Sequence, residues 1–139
     1  MSELHEAITI DAPAEEVWAL AGDPGRIGEW LPFLETSSLE DGQRTCTTRT
    51  GDRLVERIVE HSDEQRYYQY EIVESPIPLR SYRSQLTVAG HGDHSHVVWT
   101  AEFEPQDPGA AEELETTFRT IYREGLEGLQ ATVEAAATR

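Results

Sequence analysis

The sequence has little of what cross-links a protein or carries it into a membrane. It contains one cysteine, Cys46, so no disulfide can form within the chain. It shows neither an apolar leader nor a long apolar run, and we therefore expect a soluble cytoplasmic protein. A chain of 139 residues can bury a core without such staples, and a single domain over residues 1–139 is predicted.

Lysine is absent as well, because all 11 basic residues are arginine, against 27 acidic residues. The formal net charge of −16 repels nucleic-acid phosphates and anionic lipid headgroups. We therefore expect no nucleic-acid partner and no membrane insertion. The lack of lysine fits either a GC-rich genome or a salt-adapted cytoplasm, and composition alone does not separate the two.

Common catalytic and cofactor motifs are also missing. No Ser-His-Asp arrangement, phosphate-binding glycine loop or dinucleotide fingerprint is found, so no cofactor is expected. The segment from His91 to His96 is metal-like in composition, but a hairpin turn is needed there, and we predict a turn and no metal site. Cys46 has no recognisable base nearby and is interpreted as a small buried residue.

What is present is a pattern of short alternating segments followed by one long amphipathic segment. Leu4–Asp11 is predicted as a strand, a short helix begins at Pro13, and a second short helix covers Ile27–Trp30. Six further strands are predicted at Phe33–Leu39, Arg44–Arg49, Arg53–His61, Arg66–Val73, Arg80–Val88 and His96–Glu104. The connections between these strands are too short for parallel crossovers, which predicts an antiparallel meander.

After Gly109 the apolar residues recur at spacings of three and four to the end of the chain, which predicts a single long helix. Such a helix must lie across the whole sheet. A curved sheet is difficult to fill with one helix, so a cavity between them is a natural ligand site. The predicted class is therefore α+β, with a seven-stranded antiparallel sheet curved around a C-terminal helix.

Four phrases, in this order along the chain, resemble the SRPBCC superfamily of START and Bet v-type helix-grip proteins. They are Ile10–Trp18, Glu29–Pro32, Val55–Ile58 and Leu79–Ser84. The superfamily includes polyketide cyclase/dehydrase-like proteins, lipid-transfer domains and the plant abscisic-acid receptors. The resemblance implies a helix-grip fold with two short helices between strands 1 and 2, and a ligand cavity under the long helix.

Matching to the hormone receptors places Glu56, Tyr82, Ser84 and Ile121 in the cavity wall. Glu35 falls where those receptors have the lysine that binds the ligand's carboxylate, which implies a neutral ligand here. Only Thr50-Gly51-Asp52 stands where the receptors have their gate loop. The resemblance therefore gives no support to a gate-and-latch signalling switch.

Glu56 alternates with Leu54 and Ile58, so the three side chains are expected on one face of a strand. Three roles stay open for it: a polar anchor in the pocket, a catalytic acid–base, or a structural partner of an arginine.

Aromatic residues with polar tips on neighbouring strands favour a cavity wall, although each alone is equally typical of a core. Gly125 is expected to leave room opposite the sheet. The complete set of predicted ligand-binding residues is Trp30, Phe33, Glu35, Glu56, Tyr68, Tyr70, Tyr82, Ser84, Trp99, Phe118, Ile121, Tyr122 and Gly125.

The leading hypothesis for function is a binder or carrier of a neutral hydrophobic molecule that is lipid-, sterol- or polyketide-like. We expect the ligand to enter past residues 76–78 and the corner at residues 29–32. The alternatives are a polyketide cyclase, aromatase or dehydratase with Glu56 and Tyr82 as acid–base groups, and a protein-interaction module. A monomer or a homodimer is expected.

Overall fold

The fold is a seven-stranded antiparallel sheet with one long helix packed on its concave face. The structure is a computed structural model and describes residues 1–137, with side chains to residue 136. The strands are β1 (Ser2–Ile10), β2 (Leu34–Glu40), β3 (Gln43–Thr48), β4 (Arg53–Ser62), β5 (Tyr67–Glu74), β6 (Leu79–His91) and β7 (His94–Pro105). The helices are α1 (Ala14–Ala21) and α2 (Ala111–Ala137), with 3₁₀ segments at Pro24–Glu29 and Pro108–Ala110.

The strand order is β1-β7-β6-β5-β4-β3-β2, so β2 to β7 form a meander and β1 pairs with the last strand. This confirms the predicted helix-grip class and the two short helical segments after the first strand. The predicted long helix is α2, and its expected continuation through residues 138 and 139 lies outside the described residues. None of the helices within the described residues is long and apolar enough to span a membrane.

The core lies between the sheet and α2. From α2, one face buries Phe118, Tyr122, Leu126, Leu129 and Val133, at the three- and four-residue spacings of a helix stripe. The sheet contributes the inward positions of β5, β6 and β7, and α1 closes one end of the layer. This arrangement places an aromatic helix face against an aromatic sheet face.

The hairpin between β6 and β7 is longer than predicted, because the strands continue to His91 and resume at His94. Gly92 lies in the turn with φ of 69°, in the left-handed region that favours glycine. The segment is therefore a turn, as predicted. Within residues 1–137 no group of three or more His, Cys, Asp or Glu side chains is placed to hold a metal ion.

Candidate functional site: a small cavity with a polar wall

A cavity of about 40 Å³ lies between the concave face of the sheet and α2. Its walls are Ile27, Leu31, Phe33, Leu34, Leu54, Glu56, Tyr70, Ile72, Tyr82, Trp99, Phe118, Ile121 and Tyr122. Sites for drug-sized ligands enclose about 300–1,000 Å³, and a single water molecule occupies about 30 Å³ in the liquid. The cavity in this conformation accommodates a water or a small functional group, and a larger molecule requires the walls to move.

The hydroxyl of Tyr122 is the centre of a hydrogen-bonded cluster in the wall of this cavity. It lies 2.8 Å from Ser84 Oγ and 3.3 Å from the Tyr70 hydroxyl, and it also bonds to the Tyr82 hydroxyl. Ser84 Oγ donates to the carbonyl of Thr100 at 2.7 Å and accepts from Trp99 Nε1 at 3.0 Å. The ring of Tyr122 stacks on Trp99 with centroids 3.9 Å apart.

These contacts fix the direction of each proton in the cluster. Because Ser84 gives its only proton to Thr100, it must accept from Tyr122. Tyr122 has then donated its proton and accepts from Tyr70 and Tyr82. All the hydroxyl protons are therefore used inside the cluster. The hydroxyl oxygens of Tyr70 and Tyr82 can therefore only accept a hydrogen bond from a molecule in the cavity.

The tyrosines of the cluster are neutral at physiological pH. Burial raises the pKa of Tyr70, Tyr82 and Tyr122 well above the ordinary value for a phenol. They act as hydrogen-bonding groups, since a phenol with such a pKa is protonated and cannot serve as a base near pH 7.

A buried ion pair forms one end of the cavity. Arg44 Nε donates to Glu56 Oε1 at 2.7 Å, and the two side chains are 0% and 6% exposed. The strand register explains the pair, because Arg44 on β3 lies directly opposite Glu56 on β4. Arg44 Nη1 donates to the carbonyl of Pro24 at 3.1 Å and to the Tyr68 hydroxyl at 3.0 Å.

The guanidinium of Arg44 is held over aromatic rings, 4.6 Å from the centroid of Tyr70 and 5.5 Å from that of Tyr68. Burial alone would lower the pKa of Arg44, but the carboxylate of Glu56 and the hydroxyl of Tyr68 outweigh it, and the pKa stands well above its ordinary value. The arginine therefore keeps its charge inside the core.

Two buried donors in this region have no hydrogen-bond partner among the described residues: Arg44 Nη2 and Trp30 Nε1. An unpaired buried donor costs about 1–3 kcal/mol, so such groups are uncommon in folded proteins. Trp30 packs edge-on against Trp99, with ring centroids 5.6 Å apart. Both donors are free to bind an acceptor that enters the core.

The profile of a family described as polyketide cyclase/dehydrase and lipid transport matches residues 1–134. The chain belongs to this family. Two solved structures with related sequences are XoxI from Bacillus cereus, at 30% identity and a TM-score of 0.89 over 96% of both chains, and a protein from Thermobifida fusca. The second has 31% identity and a TM-score of 0.84, over 96% of this chain and 93% of that one.

The Zhui aromatase/cyclase from Streptomyces sp. R1128 has the same fold at 15% identity. Its TM-score is 0.83, over 96% of this chain and 93% of that one. No curated protein matches the sequence. The family covers cyclases, dehydrases and lipid-transport proteins, so ligand binding and cyclase chemistry are both functions found on this scaffold.

Most of the residues that were predicted from the sequence to bind a ligand lie at the cavity. Those in its wall are Phe33, Glu56, Tyr70, Tyr82, Trp99, Phe118, Ile121 and Tyr122. Trp30, Tyr68 and Ser84 are buried one contact away from it: Trp30 against Trp99, Tyr68 against Tyr70, and Ser84 on Tyr122.

Glu35 does not face the cavity, and this prediction was wrong. The side chain is exposed, because a bulge between Leu34 and Thr36 leaves Glu35 unpaired with β3 while Leu34 takes the inward position. The carboxylate of Glu35 is therefore not in a position to repel an anionic ligand in the cavity.

Gly125 does not leave room opposite the sheet either. A Cβ added at this glycine would lie 2.5 Å from Leu31 Cδ1 and 3.0 Å from Trp99 Cζ3. The glycine lets α2 approach these side chains closely, and the space that it vacates is already filled. The expected widening of the pocket at this point is absent.

Arg44 is the residue that the sequence analysis missed. Its strand was predicted, and its spacing to the buried Cys46 already indicates an inward side chain, because alternate residues of a strand share a face. The pair with Glu56 also follows from a tight hairpin between the two strands. The signal was present, but an arginine in a core is rare enough to be overlooked.

A groove of about 330 Å³ beside the segment from Ser75 to Pro78 lies next to the cavity. Ile72 and Tyr82 line both the groove and the cavity, so these two side chains separate the interior from the outside. A cleft of about 530 Å³ lies at the other end of the sheet, beside Trp18 and His61. Pro24 lines this cleft and also binds Arg44, which places the ion pair between the cleft and the cavity.

Proposed function

We propose that this protein binds a small, largely apolar molecule between the sheet and α2, with the Arg44–Glu56 pair at the polar end of the site. One observation supports this above others: apolar and aromatic walls surround a cavity that borders a buried, incompletely bonded ion pair. Such convergence of apolar walls with a few polar groups is typical of small-molecule sites.

Binding a molecule larger than a small functional group requires the cavity to open. The wall residues Phe33, Leu54, Ile72 and Ile121 are only partly buried, so this side of the cavity has the fewest packing contacts to lose. Ile72 also lines the outer groove. We therefore propose that the entrance is at the segment from Ser75 to Pro78, one of the two places expected from the sequence.

The test is native mass spectrometry of freshly purified protein with organic extraction of bound material, repeated on two helix variants. Ile121→Trp fills the cavity and should remove the adduct. The matched control, Leu114→Trp, introduces the same side chain at a partly buried site on α2 outside the cavity wall and should keep it. An adduct that persists in Ile121→Trp would place the ligand elsewhere and contradict the proposal.

Cyclase activity is the second candidate, favoured by the family and by the carboxylate of Glu56 in the cavity wall. In such a reaction Glu56 would take a proton from the carbon next to a ketone, and the resulting enolate oxygen would accept a hydrogen bond from Arg44. An enzyme of this kind should exchange deuterium from heavy water into a bound ketone. This exchange should be lost in Glu56→Gln, whereas a pure binder gives none with either protein.

A further inference from the structure

The guanidinium of Arg44 and the carboxylate of Glu56 make only half of the contact that this pair of groups usually makes. Arginine and carboxylate often bind in parallel, with Nε and Nη2 each donating to one carboxylate oxygen. Here Nε donates to Oε1 at 2.7 Å, and Nη2 is buried without a partner among the described residues. The hydrogen bond of the Glu56 carboxylate is made through Oε1, which leaves Oε2 as the acceptor for a ligand. Nη2 shares its carbon atom with Nε, and Oε2 shares its carbon atom with Oε1. The free donor and the acceptor are therefore both close to the Nε–Oε1 hydrogen bond, and we call these two atoms the free edge.

The acceptor half of this free edge belongs to a residue of the cavity wall, and the donor half belongs to Arg44, which is fully buried next to it. Glu56 lines the cavity, and so does Tyr70, whose ring lies 4.6 Å from the guanidinium carbon. The other contacts of the guanidinium, to Pro24 and Tyr68, are made through Nη1 and leave Nη2 unpaired. The tyrosine cluster contributes no competing donor, because its hydroxyl protons are all used internally.

The free edge selects a class of ligand. It offers one N–H and one lone pair, and the Arg44–Glu56 pair as a whole is neutral, so a charged ligand group would leave a net charge in the core. A group that presents a carbonyl oxygen and an N–H on one edge matches both. We propose that the ligand carries an amide or lactam edge, with its carbonyl accepting from Arg44 Nη2 and its N–H donating to Glu56 Oε2; this inference rests on the proposed function.

Three six-membered probes test the inference: δ-valerolactam, N-methyl-δ-valerolactam and cyclohexanone. All three share a ring and a carbonyl, but only the first has the N–H. Binding is followed through the NMR methyl signals of Ile72 and Ile121, which lie in the cavity wall. We expect the lactam to bind at least tenfold more tightly than either of the other probes, because both of those leave Glu56 Oε2 unpaired.

The double variant Arg44→Met/Glu56→Leu provides the control. Replacing a buried ion pair by apolar residues of similar volume usually preserves the fold, whereas removing one partner does not. In this variant the three probes should bind with affinities within a factor of two of each other.

The outcomes separate the inference from the function on which it rests. Equal affinities in the unmodified protein, with the cavity methyl groups still responding, overturn the lactam edge and mean that the free edge holds only water. Selectivity that survives in the double variant also overturns it. No response of the cavity methyl groups to any probe overturns the proposed site itself, and the lactam edge with it.

Discussion

Arg44 and Glu56 determine the chemistry of the core at the scale of single residues. The pair is fully buried, and both members are held by neighbours on the adjoining strands and at Pro24. The desolvation of such a pair offsets much of its attraction, so its net contribution to stability is small, although the loss of one partner is costly. The pair is therefore better explained by a role in the site than by a role in folding.

This explanation predicts a characteristic stability pattern. Arg44→Met should lower the free energy of unfolding by about 3–5 kcal/mol, because it leaves the carboxylate of Glu56 buried without its partner. The double variant Arg44→Met/Glu56→Leu should recover most of this loss. Urea denaturation followed by circular dichroism measures both. A double variant as unstable as the single one would show that the pair itself stabilises the fold.

Cys46 lies on the same strand, two residues from Arg44, and is fully buried. Burial, together with the nearby charge of Glu56, raises the pKa of its thiol to about 12. We predict that the native protein does not react with a thiol reagent at pH 8, and that the reaction becomes rapid in denaturant. Rapid labelling of the folded protein would contradict the placement of this strand.

The stability of the fold should also depend on pH through this thiol. The folded pKa of about 12 lies above the usual value near 8.5 of an exposed thiol, so the folded state holds its proton more tightly. The contribution of Cys46 is therefore fully present below about pH 8.5 and is lost as the pH rises toward 12. Urea denaturation should show a smaller alkaline loss in Cys46→Ala than in the unmodified protein. An equal loss in both would exclude the thiol as a cause.

At the scale of elements, the close contact between α2 and the corner at Trp30 fixes how narrow the cavity is. A Cβ added at Gly128 would lie 2.1 Å from the backbone carbonyl oxygen of Trp30. A backbone carbonyl cannot rotate away from the added Cβ as a flexible side chain can. The two glycines of α2 therefore act in the same way, by letting the helix approach the corner and the sheet.

Gly128→Ala should consequently destabilise the protein, although alanine favours a helix over glycine by about 1 kcal/mol. The clash with Trp30 should outweigh this gain and produce a net loss of about 1–3 kcal/mol, as is typical of overpacking. The exposed position Ala131 provides the control, since Ala131→Gly reports helix propensity alone. A Gly128→Ala variant more stable than the parent protein would contradict the close approach.

The helices and strands are also the level of structure that the sequence predicts best. Alternation and turn residues identified each strand, because a half-buried strand leaves a clear pattern in Val, Ile and Tyr positions such as those of β5 and β7. The prediction for Glu35 rested on the resemblance to the hormone receptors, and it failed because Leu34 takes the inward position while Glu35 is the extra residue of a bulge. The inward side chain of Arg44 was predictable from its spacing to Cys46, but an arginine is rarely found in a core.

The size of the cavity could not be predicted from the sequence. Trp99 and Tyr122 were both predicted to line a pocket, and both do, but their stacking at 3.9 Å closes most of it. Whether two aromatic residues line a space or fill it depends on rotamers and on the distance between helix and sheet. Neither the rotamers nor this distance produces a periodicity or a compositional bias in the sequence.

At the scale of the whole molecule, acidic charge dominates. The formal net charge of −16 on 139 residues produces self-repulsion in the folded state, which salt screens. The melting temperature should therefore rise as sodium chloride increases from about 0.05 M to about 0.5 M, where the Debye length is a few ångströms. A melting temperature that falls over this range would show that attractive ion pairs outweigh the repulsion.

Binding of a small molecule inside the core, between the sheet and α2, can be measured directly. The most direct measurement is a methyl NMR titration with the material extracted from the purified protein, or with δ-valerolactam if none is extracted. The account predicts that Leu34, Ile72 and Ile121 shift, since they line the cavity, while Ile8 on β1 does not. Shifts confined to Leu39 and Val59 at the outer cleft, or none at all, would contradict it.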